Sequence, residues 1–424
     1  MEARRSLDVG IIGAGTAGSA AAIFLARAGH RVTLYERVID PGPVGAGITL
    51  QPTGLHVLCR LELYPYIVSR GARIDRLLCE SAAGRPLVDL SYATVDEDLF
   101  GLGLHRGVLF EALFAAVRHE KASITLRTGV EIVDLARALP GDAGAGRASW
   151  FIDNHRERHG PHELVIVADG ARSQLRDDTG TSKRVAPYPW GALWFVGNET
   201  RDLDGAEARV LRQVVDGNKR MLGLLPTGHG PGRTLGPRLV SLFWSMRCDR
   251  VDEWRSRGLD KWKAELLELA PEAAPVLEQI ESVDQVLFAS YQDVVMHRWS
   301  TRNVVYLGDA AHATSPQLGQ GCNLALWDAM VLADLIAEEN DLAVALDRYS
   351  RTRAEHLAFY QFSTRMLTPF FQGDVPLLGS LRDLTMPIMG KIPFTNRLMT
   401  LSMLGVVDGF SGRTLQLRLP RKEA

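Results

Sequence analysis

The chain has 424 residues, 46% of them hydrophobic, which is enough to bury a large core and to form two or three domains. Its 48 basic and 50 acidic residues give a net charge of −2 with no basic run, so no nucleic-acid partner is expected. Four scattered cysteines indicate free thiols and no metal site. The sequence contains no uninterrupted apolar stretch of about 18 residues, the length that a membrane-spanning helix needs, and the first strand begins too early for a cleaved signal. A cytoplasmic location is therefore expected.

The first predicted element is a buried strand, residues 8–12, that leads into the turn Gly13-Ala14-Gly15-Thr16-Ala17-Gly18. Gly13 permits a tight turn, Gly15 lets the backbone approach a pyrophosphate, and Gly18 lets the following helix pack on the sheet. A second strand, residues 31–36, ends in Glu36, about 20 residues further on, where a carboxylate can accept the hydrogen bonds of ribose hydroxyls. The pattern predicts a strand-helix-strand unit for an adenine dinucleotide, and the alternative is a glycine-rich turn without a ligand.

Two further glycine motifs follow predicted strands much later in the chain. After residues 163–168 comes Asp169-Gly170, which alone is an ordinary turn. After residues 303–307 come Gly308 and Asp309, at the carboxyl end of a strand where open parallel sheets bind ligands. Asp309 could accept hydrogen bonds from a polyol, or it could merely cap the turn. The loop 315–321 then leads into a helix whose free backbone donors could stabilise negative charge.

A second domain is predicted from segments with strand character at residues 77–81, 191–196, 219–225 and 239–246. They would form a mostly antiparallel sheet. Trp194, Phe195, Phe243 and Trp244 are candidate walls of an apolar pocket, and strand alternation predicts that half of them face ordinary core. Residues 251–269 have a helical pattern.

The region after Leu346 begins with a charged helix and becomes apolar from Met366 to Val407. The prolines of the apolar part are expected to divide it into short helices that pack on the second domain: Pro369, Pro376, Pro387 and Pro393. A loose membrane-surface contact through residues 398–404 is the alternative, which the missing basic face disfavours.

In this order the motifs resemble those of the single-component FAD-dependent aromatic hydroxylases related to p-hydroxybenzoate hydroxylase. The resemblance covers most of residues 8–350 and also rests on Gly45-Ala46-Gly47-Ile48 with Gln51-Pro52, and on Leu104-His105-Arg106. One departure is the segment 167–170, where relatives often carry a glycine ahead of the Asp-Gly pair.

The resemblance implies an α/β fold, with a Rossmann-like FAD-binding domain, a mostly antiparallel β-sheet substrate domain and a helical C-terminal segment. The expected FAD-binding domain is discontinuous, from residues 1–75, 103–180 and 300–350. The substrate domain would contain residues 76–102 and 181–299, and residues 351–424 would form the C-terminal segment.

The resemblance also implies the roles of individual residues. Asp309 would hydrogen-bond the ribityl chain, Arg106 would lie by the pyrophosphate, and Asp169 with its neighbour would serve both FAD and reduced nicotinamide. Backbone groups at residues 321–323 would face the isoalloxazine ring. The full set of expected cofactor-binding residues is Gly13, Gly15, Ala17, Gly18, Glu36, Arg37, Gly47, Arg106, Val130, Asp169, Asp309, Gly321, Cys322 and Asn323.

The implied reaction is the hydroxylation of an aromatic, preferably phenolic, substrate by O₂ through a flavin C4a-hydroperoxide, with NADH or NADPH as a transient reductant. The expected pocket contains Trp194, Phe243 and Pro316, with the Pro316 backbone beside the substrate. No general base can be assigned from the sequence, although Tyr188, Tyr291 or His312 could assist. Of the two candidate catalytic positions, Pro316 and His312, the latter is more simply a hydrogen-bonding group of the loop near the cofactor phosphates.

Other functions remain open at this point. A flavin-dependent halogenase would carry a Trp-x-Trp-x-Ile-Pro segment, which the sequence lacks. A dehydrogenase that uses nicotinamide alone is disfavoured by Asp309 and by the loop after it. Another FAD-dependent oxidoreductase acting on a small or polycyclic molecule, or a noncatalytic escort protein that keeps the fold, would show the same motifs. The sequence does not indicate an oligomeric state.

Overall fold

A computed structural model of the protein describes residues 6–137, 148–176, 181–203, 205–232 and 234–420. The strands, in chain order, are β1 (Asp8–Ile12), β2 (Arg31–Glu36), β3 (Gly47–Leu50), β4 (Ala72–Ile74), β5 (Arg76–Ser81), β6 (Pro86–Ser91), β7 (Gly101–His105), β8 (Ile124–Thr128), β9 (Ile132–Arg137), β10 (Ser149–Asp153), β11 (Arg158–His162), β12 (Leu164–Val167), β13 (Ser182–Asn198), β14 (Val210–Asp216), β15 (Arg220–His229), β16 (Arg238–Arg247), β17 (Leu287–Met296), β18 (Ser300–Thr301), β19 (Val304–Tyr306), β20 (Val407–Asp408) and β21 (Arg413–Thr414). The helices are α1 (Thr16–Arg27), α2 (Pro52–Arg60), α3 (Tyr64–Arg70), α4 (Arg106–His119), α5 (Val251–Arg257), α6 (Leu259–Leu269), α7 (Ala274–Leu277), α8 (Asp309–His312), α9 (Gly321–Glu338), α10 (Leu342–Phe371), α11 (Pro376–Lys391) and α12 (Pro393–Leu404).

The centre of the fold is a six-stranded sheet in the order β18-β19-β12-β1-β2-β8. All pairs except β18 with β19 are parallel. Its central strands are continuous apolar runs because both faces are covered. Helices α1 and α9 contribute buried residues to the core that contains these strands. Phe151 and His162 of a three-stranded meander, β11-β10-β9, lie against Gly10 of β1.

The second large sheet has seven strands in the order β17-β13-β16-β15-β14-β5-β6. Its neighbours run antiparallel except for the parallel pair of β14 with β5. Each of the four predicted strands lies within or largely within one of its strands, as expected from the sequence. One face packs on α5, α6 and α7. A small sheet, β3-β7-β4, contacts β15 so closely that a Cβ on Gly103 would fall 1.8 Å from the Pro226 carbonyl oxygen.

The C-terminal region differs from the expectation of short helices. Pro369 lies inside α10, which has 30 residues, and Pro387 lies inside α11, so the prediction that each proline ends a helix was wrong at these two positions. Each proline removes the hydrogen bond of its own N–H, but both lie close to the C-terminal ends of their helices, so only two residues of α10 and four of α11 follow the interruption. Pro376 and Pro393 occupy first turns, where proline is favoured.

Two other boundaries differ from the sequence prediction. The helical segment 251–269 is divided at Gly258, which has a φ of 87° and separates α5 from α6. The domain boundary set at residue 350 falls inside α10. The division into discontinuous domains otherwise stays a prediction. Among the described residues, no helix has the length and apolar character needed to cross a bilayer.

Candidate active site

The glycine turn after β1 has the local geometry that a bound phosphate requires. Gly13 has a φ of 97°, and a Cβ on Gly18 would fall 2.0 Å from the Gly13 carbonyl oxygen, so neither position accepts a side chain. A Cβ on Gly15 would instead meet nothing within 4 Å. No side chain caps the start of α1. The backbone donors of the first turn of α1 are therefore available to an anion in open space.

Glu36 closes one side of this turn. Its two carboxylate oxygens accept hydrogen bonds from the backbone N–H groups of Ala14 and Val38, each at 3.0 Å. Each oxygen keeps a further lone pair for a ribose hydroxyl. Val130 N donates to the Glu36 carbonyl oxygen at 3.0 Å, and Arg37 is exposed next to it. Glu36, Arg37 and Val130 thus come together at the carboxyl end of β2.

Asp169 is the most informative polar group at this edge of the sheet. Its Oδ1 atom and the hydroxyl of Ser173 are buried, and neither makes a hydrogen bond of good geometry. Burial raises the pKa of Asp169, and the nearby Ser173 hydroxyl, followed by the charges of Arg176 and Arg37, opposes this shift. A buried acceptor without a donor is costly and uncommon in folded proteins. The site therefore fits a ligand that supplies hydroxyl or amide donors, as FAD would.

Arg176 joins the second motif to the third. Its guanidinium is 1% exposed and donates to the carbonyl oxygens of Ala171 and Ala310, both at 2.8 Å. Ala310 follows Asp309 directly, so this one side chain fixes the two aspartate loops relative to each other. The sequence analysis assigned Arg176 no role.

Asp309 lies exposed at the start of α8, after Gly308, which has a φ of 58°. A Cβ on Gly308 would fall 3.1 Å from Ala17 Cβ and 3.2 Å from Ala325 Cβ, so the first and third motifs are packed together. Gly321, at the start of α9, is also exposed, and its Cβ would lie 3.8 Å from Asp309 Oδ1.

Asn323 holds the start of α9 against β3. Its Oδ1 accepts from Gln51 N at 2.8 Å, and its Nδ2 donates to the carbonyl oxygens of Thr49 and Gly319 at 3.2 and 3.1 Å. The Asn323 side chain is therefore fully used in positioning backbone. This leaves the backbone at residues 321–323 as the part that could face a ring, and its contact with the isoalloxazine stays a prediction.

Cys322 and Arg106 lie on the same side of the site. Burial raises the pKa of the Cys322 thiol to about 12, although Arg106 and the Thr16 hydroxyl act to lower it. The thiol is therefore neutral at physiological pH. Arg106 itself is exposed at the start of α4, and its Cδ lies 3.1 Å from where a Cβ on Gly45 would be. Its charge is thus available to a ligand near the glycine turn.

His312 belongs to a buried polar network beneath the Asp309 loop. Its Nε2 lies 2.6 Å from Asp328 Oδ2, which also accepts from Gly308 N at 2.9 Å. Asp328 Oδ1 accepts from Arg353 Nε of α10 at 2.7 Å. Burial would raise the pKa of Asp328, but the neighbouring His312 and Arg353 hold it down, at about 2. This placement makes His312 an anchor of the loop. Its Nε2 atom is buried and engaged with Asp328, so it is not available for acid-base chemistry on a substrate.

The seven-stranded sheet separates the four predicted aromatic residues by face. Phe195 and Trp244 are buried against α5–α7. Trp194 and Phe243 lie on the opposite face as direct cross-strand partners, with ring centroids 5.1 Å apart. Gly223 makes room for Phe243, since a Cβ there would fall 2.0 Å from its ring. The expectation that half of the aromatic residues face ordinary core agrees with this arrangement.

Gly47 marks where this aromatic face meets the cofactor edge. A Cβ on Gly47 would fall 2.5 Å from Ser241 Oγ, two residues from Phe243 on the same face. Pro316 is exposed at the start of a short 3-10 turn, and the preceding Ser315 is hydrogen-bonded through Oγ to Thr368 of α10 at 2.7 Å. The loop that carries Pro316 is therefore fixed to the C-terminal helices.

The two tyrosines considered as bases are both protonated groups. Trp194 Nε1 donates to the Tyr291 hydroxyl at 3.4 Å, and burial raises the pKa of Tyr291 to about 12. Burial also raises the pKa of Tyr188, which lies beside Ser315 and Thr368. Neither offers a phenolate at neutral pH.

Four adjacent strands of the central sheet carry these groups at their carboxyl ends: β2 ends in Glu36, the glycine turn follows β1, Asp169 follows β12, and Asp309 follows β19. This arrangement defines a dinucleotide-binding flavoprotein. The chain belongs to the FAD binding domain family, whose model matches residues 6–359. It is an FAD-dependent monooxygenase of the aromatic hydroxylase type, and FAD is its cofactor.

Several relatives of known name are similar over most of their length. A probable 2-heptyl-3-hydroxy-4(1H)-quinolone synthase of Rhodococcus erythropolis is 28% identical over 80% of this chain and 82% of its own. The 3-amino-4-hydroxybenzoate 2-monooxygenase of Streptomyces platensis is 28% identical over 91% of this chain and 93% of its own. Among solved structures, HpxO of Klebsiella pneumoniae complexed with FAD and uric acid covers 94% of this chain and 97% of its own, with a TM-score of 0.75 and 19% identity. At this identity the structural likeness shows the fold alone.

Proposed function

We propose that this protein hydroxylates a neutral, apolar aromatic substrate, preferably a phenol, with O₂ and with NADH or NADPH as the transient reductant. The observation that carries the proposal is the inner face of the seven-stranded sheet. Register places eight residues on this face, Trp194 and Phe243 among them, and none of the eight is charged: Ala192, Trp194, Val196, Gly223, Leu225, Ser241, Phe243 and Ser245. These eight positions themselves offer a substrate carboxylate no cation.

The aromatic pair gives this face its chemistry. Trp194 and Phe243 offer two ring faces at one level of the sheet, against which a planar substrate can stack or pack edge-on. The Ser241 and Ser245 hydroxyls lie two residues to either side of Phe243. Ser241 is bonded to Thr227 at 2.7 Å and Ser245 to Gln372 at 3.0 Å, so both are already engaged. The face therefore selects for ring area more than for polar groups.

FAD, when bound and reduced, supplies the activation of O₂, and the chain supplies binding, orientation and exclusion of water. Tyr291 holds Trp194 through its indole N–H and stays protonated, so it can donate a hydrogen bond but cannot remove a phenolic proton at neutral pH. In the described parts of the chain, one Gly-x-Gly-x-x-Gly turn of this geometry follows a strand. This supports a reductant that approaches the flavin transiently.

The names of the relatives agree with an aromatic substrate but differ in its charge. The quinolone synthase name describes a ring with an alkyl chain, whereas the Streptomyces platensis enzyme acts on a benzoate. The uncharged inner face of this protein favours the first kind of molecule.

The test uses pairs of phenols and hydroxyquinolines that differ only by a carboxylate. We expect NAD(P)H oxidation to rise at least about tenfold with the neutral member of a pair, and the product to carry one atom of label from ¹⁸O₂. Trp194→Leu should raise KM for the neutral substrate, whereas Phe195→Leu on the outer face should leave KM unchanged. Label that comes only from water, or a consistent preference for the carboxylates, would contradict the proposal.

A further inference from the structure

Helix α11 presents a row of exposed apolar side chains along one side. Leu377, Leu381, Leu384 and Ile388 are 73%, 42%, 59% and 55% exposed. Its opposite side is well anchored: Arg382 is fully buried and donates to the Phe370 carbonyl oxygen at 2.9 Å. The exposed row is therefore a property of a firmly packed helix. Monomeric proteins rarely expose large contiguous apolar patches of this kind.

The spacing of these four residues is 4, 3 and 4, which is the spacing of a helix-pairing seam. The row is also symmetric about the point between residues 382 and 383. In an antiparallel pair of α11 helices centred there, Leu377 of one copy would face Ile388 of the other, and Leu381 would face Leu384. Each copy would present the same surface to the other, as a two-fold interface requires.

Charges flanking the row obey the same symmetry. Asp374 and Lys391 lie at equal distances in sequence from the centre, so each would face the other across the pair. The Asp374 side chain is 56% exposed although it is paired with Arg247, and Lys391 is also exposed. An antiparallel pair would therefore bring opposite charges together at both ends, whereas a parallel pair would bring like charges together.

The size of the surface depends on residues at the end of the row as well. Even at roughly 200 Å² for one fully exposed large side chain, the four row residues offer on the order of 450 Å². Ile392, Phe394 and Leu398, which continue past the end of α11, are 47%, 77% and 39% exposed and would extend the contact. Together the seven residues approach the area of about 800 Å² that a stable interface takes from each partner.

We infer that α11 pairs with α11 of a second copy of this chain, antiparallel, about a two-fold axis between residues 382 and 383. This surface does not depend on the identity of the substrate. A lipid surface is the other occupant that an apolar helix face could take, but it would need neither the symmetry of the row nor an acidic residue at one end.

The first test measures mass in solution by light scattering and sedimentation of the FAD-loaded protein. We expect a dimer, and we expect Leu384→Glu to raise its dissociation constant at least about 100-fold because the substitution enters the interface twice. Leu235→Glu is the matched control, because Leu235 is also 59% exposed but lies in the loop before β16. Retained flavin absorbance shows that each variant is folded. A wild-type monomer at all concentrations would overturn the inference.

The second test addresses the orientation of the pair. In the antiparallel register the double variant Leu377→Cys with Ile388→Cys should be joined between protomers by a short thiol cross-linker. Each single variant should not, because identical positions would be about 16 Å apart along the axis. Cross-linking of the single variants would instead indicate a parallel pair. Binding of the wild-type protein to phosphatidylcholine–phosphatidylglycerol vesicles as a monomer, lost in Leu384→Glu, would assign the surface to lipid.

Discussion

Replacing Asp169 by asparagine should weaken FAD binding and at the same time stabilise the FAD-free protein. The carboxylate oxygen Oδ1 is buried without a donor, and burial raises the pKa of the group. Without FAD it is a buried acceptor that lacks a well-placed donor, and our proposal is that FAD supplies that donor. The same oxygen should therefore strengthen FAD binding and lower the unfolding free energy of the FAD-free protein.

The magnitude follows from the cost of such an unsatisfied group, about 1–3 kcal/mol. Loss of a charge-assisted hydrogen bond to FAD in Asp169→Asn should raise the FAD dissociation constant by roughly 5- to 150-fold. Neutralising the buried carboxylate should raise the unfolding free energy of the FAD-free protein by about 1 kcal/mol at pH 7.

The pH dependence gives an independent check on the sign. The pKa of Asp169 is higher in the folded than in the unfolded protein, so the folded state holds its proton to higher pH. The stability contributed by this group is present at low pH and is lost as pH rises through the raised folded pKa. In Asp169→Asn this loss should disappear, and the stability difference from wild type should shrink at low pH.

The assay is FAD titration by flavin fluorescence, together with urea unfolding of the FAD-free protein between pH 4.5 and 8. Asp202→Asn, in an exposed loop, is the control and should change neither quantity. If Asp169→Asn binds FAD as wild type does, or if it destabilises the FAD-free protein at pH 7, the argument from the unsatisfied oxygen is refuted.

Three further substitutions test the cofactor edge and the network beneath it. Asp309→Ala should weaken FAD by roughly 10- to 150-fold, measured by equilibrium dialysis, because it removes a hydrogen bond to a charged group. Glu36→Ala should also raise the FAD dissociation constant but leave turnover per bound flavin unchanged, and a large loss of turnover at full occupancy would contradict its assignment to the adenosine ribose. Arg353→Met should lower the unfolding free energy by about 3–5 kcal/mol, since it leaves Asp328 buried with one cation fewer. Because the pKa of Asp328 is held down at about 2, its stabilising contribution should be lost in the wild type as pH falls from about 4 towards 2.

The cofactor edge could be predicted from the sequence because each of its motifs is local. A short apolar run followed by Gly13 or by Asp309 predicts both the strand and the turn at its end. Parallel pairing then brings the strand ends together. The separation of Trp194 from Phe195 followed equally from alternation. Their exact neighbours did not, because the register of β13 against β16 depends on both strands and on the bulges along them.

Other features depend on contacts that no local pattern carries. Strand β11 has the sequence Arg-His-Gly-Pro-His and pairs only because β10 and β1 lie beside it. Helix α10 continues past residue 350, and there Arg353 is held by Asp328 of α9, 25 residues earlier. A signal for this pair did exist: Asp328 is the single charged residue between 321 and 333, in an otherwise apolar helix. Such a residue needs a buried partner.

The two sides of the active site differ in how their sequence can change. At the cofactor edge, a Cβ on Gly13 or Gly18 would collide with backbone, and Asn323 bonds three backbone groups, so these positions are fixed by the geometry of the turn itself. On the inner face of the large sheet, side chains such as Trp194 project from strands whose pairing does not depend on them. Substitutions there can alter the shape and charge of the pocket while the FAD site stays intact. Under the proposed function, substrate selection would therefore reside mainly on that face, in a few alternating positions of β13, β15 and β16.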